Sequence, residues 1–296
     1  MATTETGTPA PGHDRDLAAE LAGLDRLDTL VPPRPRRLAR AWGWAWPKVA
    51  AILIGLGLWQ GVVWTGWRPE FVLPPPGPVF RTLIADFPTI MEGVANTLQR
   101  AAVGYSLALV IGVAIGTAVS QSRLLRAAVG SMITGLQTMP SIAWFPLAIV
   151  LFQLSEAAIY FVVVLGAAPS IANGIIGGVD HIQPGQLRAG QVLGARGAAR
   201  LRHIVLPAAL PAFVAGLKQG WAFAWRSLLA GELLVLIAGK QTLGGLLDFS
   251  RQFSDFEGLI AVMLVILVIG IVIDSCFGAV DTQIRKRYGL VDAATV

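Results

Sequence analysis

Charged side chains are scarce in this chain: Asp, Glu, Lys and Arg make up 14% of its 296 residues, whereas soluble domains contain about 25%. Hydrophobic residues make up 54%, and a water-soluble globule of this size could not cover so much apolar surface. Lys and Arg outnumber Asp and Glu by 23 to 18, but they form no single basic patch, so nucleic acid is not an expected partner. The composition excludes an ordinary soluble enzyme and predicts an all-α, polytopic membrane protein.

Cysteine and histidine are almost absent. The single cysteine, Cys276, lies in an apolar run, which excludes an intrachain disulfide framework and a multi-cysteine metal site. The three histidines lie too far apart in the sequence to suggest a metal site. We therefore expect no catalytic residue, no metal and no cofactor on this chain.

Long apolar runs dominate the chain after its first 40 residues. About 20 apolar residues cross the hydrocarbon core of a bilayer, and six segments come close to this requirement: residues 49–64, 101–119, 127–155, 157–179, 210–238 and 258–280. The third segment is too long for one straight helix and contains Pro140 and Pro146, which predicts a break within it. The sequence thus predicts six transmembrane helices.

Basic residues concentrate on one side of these six spans. They lie in the N-terminal segment, around residues 123–126, in the segment 180–207 and near residues 285–287. By the positive-inside rule this side is cytoplasmic, so both termini are expected inside the cell. Residues 1–40 are polar and contain no apolar core with a cleavage site, and we interpret them as a disordered cytoplasmic tail, not a signal peptide. The membrane domain is predicted over residues 41–290, followed by a C-terminal tail of 291–296.

The cytoplasmic segment 180–207 differs from a simple connector. Residues 186–196 favour a helix that mixes apolar side chains with arginines, Gly194 interrupts it, and a second helical stretch, 198–205, leads into Leu206 and Pro207. Such a hairpin could insert apolar residues into the groove of a partner protein. It could equally lie on anionic lipid through its arginines, and the residues alone do not favour either interpretation.

The same segment resembles a known motif. Gly194, followed after nine residues by Ile204-Val205-Leu206-Pro207, resembles the signature loop of inner-membrane permease subunits of ABC importers, which reads Glu-Ala-Ala, three residues, Gly, nine residues, Ile-x-Leu-Pro. In the first half only Ala189 agrees, since Arg188 and Gly190 replace the Glu and the second Ala. Other segments are similar to the nitrate/sulfonate/taurine type of this family: Asn96–Arg100, Gln137–Leu147, Glu156, Asn173-Gly174, Ala224-Trp225 and Glu232.

This resemblance implies a type I ABC importer permease fold with cytoplasmic coupling helices, in the inner membrane of a bacterium. It implies a homodimer of permeases that works with cytoplasmic ABC ATPase subunits and an external solute-binding protein, among membrane lipids. ATP and Mg would be bound by the ATPase, in agreement with the absence of a Gly-x-x-x-x-Gly-Lys-Ser/Thr loop from this sequence. The residues expected to contact the ATPase are Leu187, Arg188, Ala189, Gly190, Val192, Leu193, Gly194, Ala195, Arg196, Ile204, Leu206 and Pro207.

A solute path is expected along the fifth span. A charge inside a span needs a partner, water or a ligand, and Arg226 could supply positive potential for an anion such as a sulfonate, nitrate or bicarbonate. Alternatively, Arg226 could pair with an acidic group on another span, and Lys218 could simply reach the inner interface. The residues assigned to the path are Trp144, Trp221, Trp225, Arg226 and Glu232.

Two other classes of function compete with the importer subunit. An ion-driven carrier acting without an ATPase often shows inverted repeats, and no internal repeat is visible in this sequence. An integral-membrane enzyme would need a convergent acid, base or metal constellation, which the sequence does not suggest. Both are kept as alternatives.

Overall fold

The computed structural model describes residues 37–237 and 239–288. Most of the predicted N-terminal tail, residues 1–36, and the predicted C-terminal tail, 291–296, lie outside the described residues, as does Ala238 at the end of the predicted fifth span. The chain divides into two compact units, Met1–Gly61 and Val62–Val296. In the first unit the described structure is a helix that begins at Arg37, before the predicted domain boundary at residue 41.

The regular elements of the described residues are helices, which confirms the all-α prediction. We number the α-helices in chain order, and their bounds are α1 Arg37–Trp64, α2 Pro76–Ala85, α3 Phe87–Gln121, α4 Arg123–Thr138, α5 Phe145–Phe152, α6 Glu156–Asp180, α7 Pro184–Val192, α8 Gly197–Arg200, α9 Leu206–Leu234, α10 Leu243–Gln252 and α11 Phe256–Arg287. A short 3₁₀ helix, Ser141–Trp144, precedes α5, and a π-helical turn, Leu201–Val205, precedes α9.

The described helices supply five candidate spans, and a bent pair of helices corresponds to the remaining predicted span. Five helices are long and apolar enough to cross a membrane: Trp46–Trp64, Phe87–Gln121, Glu156–Asp180, Leu201–Leu234 and Phe256–Arg287. The remaining candidate corresponds to the predicted third span. It consists of Leu124–Thr138 and Ser141–Phe152, and the chain bends by 105° between these two helices. Most of these helices extend beyond the predicted apolar runs, because the polar residues that flank a run also adopt helical backbone angles.

The predicted break in the third span occurs at Pro140. Met139 is extended, with φ −75° and ψ 133°, because the ring of a following proline disfavours helical geometry at the preceding residue. Pro146 lies in the first turn of α5, where its missing N–H is not needed. The two prolines therefore end one helix and begin the next.

Helix α6 forms the centre of the second unit, between α3 and α9. It approaches α9 closely at Gly174, where an added Cβ atom would lie 2.8 Å from the Cα atom of Gly216. On the α3 side, a Cβ atom at Gly112 would lie 2.8 Å from the carbonyl oxygen of Ala168. Small residues allow helices in a bilayer to pack backbone against backbone, and this packing holds α3 and α9 against α6.

Candidate functional site

The hairpin predicted between the fourth and fifth spans is formed by α7, α8 and the π-helical turn. Helix α7 ends at Val192, and the chain reverses through Gly194, whose φ is +81°. Side chains other than glycine rarely adopt this left-handed region. The reversal is held by backbone hydrogen bonds from Gly194 to the carbonyl of Gln191 and from Ala195 to that of Gly190, at N–O distances of 3.0 and 2.9 Å.

Gly190, which replaces an alanine of the importer motif, packs against Ile204. A Cβ atom at this position would lie 1.9 Å from Cδ1 of Ile204, so an alanine here would require the end of the Ile204 side chain to move. Gly190 is buried, and Ile204 is half-buried against it. The contact closes the hairpin and joins its two arms.

The tip of the hairpin exposes apolar side chains. Val192 and Leu193 are 87% and 86% exposed, and Arg188 and Arg196 are exposed nearby in the sequence. Isolated exposed apolar residues are ordinary, but two adjacent large ones at the tip of a structured, positively charged hairpin are available for insertion into a groove of a partner protein. The remaining predicted contact residues are exposed or half-buried: Leu187, Ala189, Ala195, Leu206 and Pro207.

The hairpin continues into the fifth span without a break. Val205 has helical backbone angles, φ −67° and ψ −51°, where the π-helical turn meets α9. Pro207 lies in the first turn of α9, and its ring would clash with the carbonyl of residue 203 in a regular α-helix. The wider π-helical turn relieves this clash, and the second arm of the hairpin and α9 form one continuous helix.

The tryptophans assigned to the path pack within the chain. The rings of Trp221 and Trp225 stack with their centroids 6.1 Å apart, and Tyr105 of α3 meets Trp221 edge-on at 5.4 Å. The Tyr105 hydroxyl donates to the carbonyl of Leu217 at 2.9 Å. Trp225 is buried, and Trp144 is half-buried against the same core. In this conformation these rings join α9 to its neighbours.

Arg226 is exposed although it lies inside a candidate span. Its Nε atom donates to the carbonyl of Ala222 at 2.9 Å, and its Cζ atom lies 5.1 Å from the centre of the Phe223 ring. The acidic partner considered from the sequence is not found among residues 37–237 and 239–288. Arg226 thus presents a positive charge to the outside of the isolated chain.

Glu232 lies in a different environment from Arg226, since its side chain is fully buried. Arg100 Nη1 donates to its Oε1 at 3.4 Å, Thr97 Oγ1 donates to its Oε2 at 2.9 Å, and the Gly244 N–H donates to Oε2 at 3.1 Å. Glu232 is therefore part of an interhelical polar cluster and faces no open path in this conformation.

The polar cluster around Glu232 extends to two further charged residues. Arg100 Nη2 lies 3.2 Å from Oε1 of Glu156, and Lys240 Nζ lies 2.8 Å from the same oxygen. The cluster thus joins α3, α6, α9 and the loop that leads to α10. Removing one partner of a buried ion pair costs about 3–5 kcal/mol, because the remaining charge stays uncompensated.

Sequence reasoning identified Glu232 but not its partners. The sequence contained one indication of a partner. A charge inside a span needs a partner, and Arg100 lies at the edge of an apolar run. Lys218, which in one interpretation reaches the inner interface, has its Nζ atom 3.1 Å from Oδ1 of Asp274 on α11. In the described part of the chain, no group of three His, Cys, Asp or Glu side chains could hold a metal ion.

Comparison with known proteins relates both the hairpin and the spans to transport subunits. The sequence matches the family model of binding-protein-dependent transport system inner membrane components over residues 88–286. It is 26% identical over 267 residues to the taurine transport system permease protein TauC of Escherichia coli strain K12, covering 86% of this chain and 96% of that protein. It is also 26% identical over 277 residues to the nitrate import permease protein NrtB of Synechocystis, covering 87% and 94% of the two chains.

The fold is also similar to that of a solved transporter. A chain in an inward-facing structure of the MetNI methionine ABC transporter superposes with a TM-score of 0.56 at 19% sequence identity, covering 68% of this chain and 98% of that one. At this identity the match demonstrates the fold alone. It confirms the expected importer permease fold for the described helices.

Proposed function

The chain belongs to the family of binding-protein-dependent transport system inner membrane components, and we propose that it is the permease subunit of an ATP-driven importer for a small anionic solute. Members of this family are membrane-spanning transport subunits that work with a separate ATPase and a binding protein. The apolar spans described above agree with a location in the inner membrane. The proposal assigns ATP and Mg to the ATPase chain.

The exposed pair Val192 and Leu193 is the observation that carries the coupling part of this proposal. These side chains stand at the tip of a hairpin that runs continuously into α9. Insertion of the pair into a groove of the ATPase would bury both side chains and link movement of the ATPase to movement of α9. A coupling free energy between two sites needs an element of this kind that both can displace.

Arg226 supports the assignment of an anionic solute. Its positive charge lies in a span and has no carboxylate partner in the described residues, so a second protein surface, water or a ligand must solvate it. We propose that a second copy of this chain faces Arg226 and that the two copies enclose the solute path between them. The names of the two relatives refer to taurine and nitrate, which carry the anionic groups that an arginine binds.

The proposed orientation places the hairpin and both termini in the cytoplasm. This orientation follows from the distribution of basic residues and is required for contact with a cytoplasmic ATPase. The proposed domain organisation keeps residues 1–40 as a cytoplasmic tail, 41–290 as the permease domain with the coupling segment 180–207, and 291–296 as a C-terminal tail.

Co-purification tests the coupling role of the hairpin. An affinity-tagged chain extracted from its native membrane in mild detergent should bring down a Walker-type ATPase in a two-to-two ratio. Leu193→Asp should lower the recovered ATPase at least about tenfold, because a carboxylate in an apolar groove loses its hydration without gaining a partner. Gln186→Asp places the same charge at an exposed position of α7 and should leave recovery close to that of the wild type.

Two results would contradict the proposal. One is equal recovery of the ATPase with Leu193→Asp and with Gln186→Asp, which would leave the lipid-surface interpretation of the hairpin. The other is uptake of taurine, nitrate or bicarbonate, driven by an ion gradient, into vesicles that contain this chain alone, which would favour the carrier.

A further inference from the structure

A cavity lies where the hairpin meets the spans. Its volume is about 820 Å³, and it is bounded by the ends of α3 and α6, by the π-helical turn, by the start of α9 and by Tyr288. This volume lies within the range of cavities that hold small organic ligands, about 300–1,000 Å³. Of the residues expected to contact the ATPase, only Leu206 and Pro207 line this space, and none of the residues assigned to the solute path does.

The walls of this cavity are mainly apolar, and its polar groups include one cation. The apolar walls include Val113, Ile175, Val179, Leu201, Val205 and Phe213. The lining also contains five residues with polar or charged side chains, Thr117, Ser120, Gln121, Arg200 and Tyr288. A ligand that contacts both the apolar walls and the polar lining residues combines a long apolar part with a polar or charged group.

The charges around the cavity favour an anionic group. Arg200 makes no ion pair in the part of the chain that the structure describes, and the carboxylate nearest to the lining in sequence, Asp180, is paired with Arg126. Lys286 and Arg287, both exposed, directly precede Tyr288 of the lining. The excess of positive charge is complementary to a phosphate group and unfavourable for a neutral or cationic ligand.

We infer that this cavity binds one anionic phospholipid, with an acyl chain against the apolar walls and its phosphate group at Arg200. The cavity lies at the ends of candidate spans, where basic pockets between helices meet lipid head groups. Burial of the CH₂ groups of the chain against these walls favours binding through the hydrophobic effect. The bound lipid would touch Leu206 and Pro207, the residues through which the hairpin continues into α9.

Native mass spectrometry of the full-length chain tests the acyl-chain part of this inference. The chain, with any subunits that co-purify, is reconstituted with phosphatidylglycerol and released from mild detergent, and retained lipids are counted for each copy. The wild type should retain one. Thr117→Trp, which places an indole ring in the cavity, should lose it, whereas Ala118→Trp, on an exposed neighbour outside the lining, should retain it.

The second test concerns the head group and does not depend on filling the cavity. Preference for phosphatidylglycerol over phosphatidylcholine of equal chain length should fall about fivefold in Arg200→Gln, since a basic residue near an anionic lipid contributes about 1 kcal/mol. Arg202→Gln removes the same charge from an exposed position outside the lining and should change the preference less than about twofold.

Three outcomes would overturn the inference. The first is equal lipid retention by Thr117→Trp and the wild type. The second is an unchanged lipid preference in Arg200→Gln. The third is an equal loss in Arg202→Gln, because that result would indicate diffuse attraction of lipids to the basic surface. None of these measurements requires an ATPase, so failure here leaves the proposed transport function unaffected.

Discussion

Two arginines inside the spans show how different partners give one residue type different roles. Arg100 is buried at 4% exposure between the carboxylates of Glu156 and Glu232, and its charge is compensated within the chain. Arg226 is exposed and contacts a backbone carbonyl and the face of Phe223. Only the second arginine is available to a ligand or to another chain.

Arg226 is therefore expected to affect transport more than folding. In ATP-dependent uptake by the reconstituted complex, Arg226→Gln should lower the rate at least about tenfold, because the anion loses its positive partner in a region of low dielectric constant. Arg226→Lys should keep part of the activity, since it preserves the charge but not the two-pronged hydrogen bonding.

Lys218→Gln is the matched control for Arg226, because it removes one charge from the same helix at a residue that already pairs with Asp274. It should reduce uptake far less. Recovery of the ATPase should be normal in all three variants. If Arg226→Gln takes up the solute at the wild-type rate, Arg226 is not part of the solute path.

At the scale of elements, glycine spacing determines which helices come closest. Gly174 of α6 and Gly216 of α9 face each other, so that a Cβ atom on either would lie less than 3.0 Å from the backbone of the other. A clash with backbone cannot be relieved by a change of rotamer, in contrast to the contact of Gly190 with the mobile end of Ile204. This contact therefore helps to set the distance between α6 and α9.

Paired alanine substitutions test this contact. Gly174→Ala should destabilise the protein by about 1–3 kcal/mol, the usual cost of overpacking a close contact. Gly177→Ala lies one turn later in the same helix, where an added Cβ atom meets nothing within 4 Å. It should stabilise the helix by about 0.5–1 kcal/mol, and thermal unfolding in detergent micelles measures both shifts. If both variants are destabilised to a similar extent, the loss of stability comes from the alanine substitution within α6 and not from the contact with α9.

At the scale of the whole molecule, function depends on which side of the membrane the hairpin occupies. The apolar spans determine how often the chain crosses the bilayer, whereas its direction depends on the distribution of Lys and Arg. Gln186 of α7 and Glu70, between α1 and α2, are both exposed. They are expected on opposite sides of the membrane.

Cysteine labelling tests this orientation. In a Cys276→Ser background, which removes the single cysteine of the chain, Glu70→Cys should react with a membrane-impermeant maleimide in intact spheroplasts. Gln186→Cys should react only after the membrane is opened. The reverse pattern would place the hairpin outside the cell, out of reach of a cytoplasmic ATPase.

Much of this architecture follows from local sequence. The lengths of the apolar runs predict the spans, Pro140 predicts the break in the third span, and Gly194 predicts the reversal in the hairpin. Each of these features depends on a residue and its neighbours within a few positions along the chain. For this reason they can be read without knowledge of the fold.

The tertiary structure determines which residues that are distant in the sequence form ion pairs and packing contacts. Arg100 and Glu232 are 132 positions apart, and no periodicity links them; only the packing of α3 and α9 around α6 brings them together. The same packing leaves Arg226 exposed, places Ile204 over Gly190 and forms the cavity next to Arg200. The sequence by itself determined the helices, their breaks and their charges, because these depend on local geometry and solvation. Which charges are neutralised and which remain available to a ligand depends on contacts between segments that are far apart in the chain.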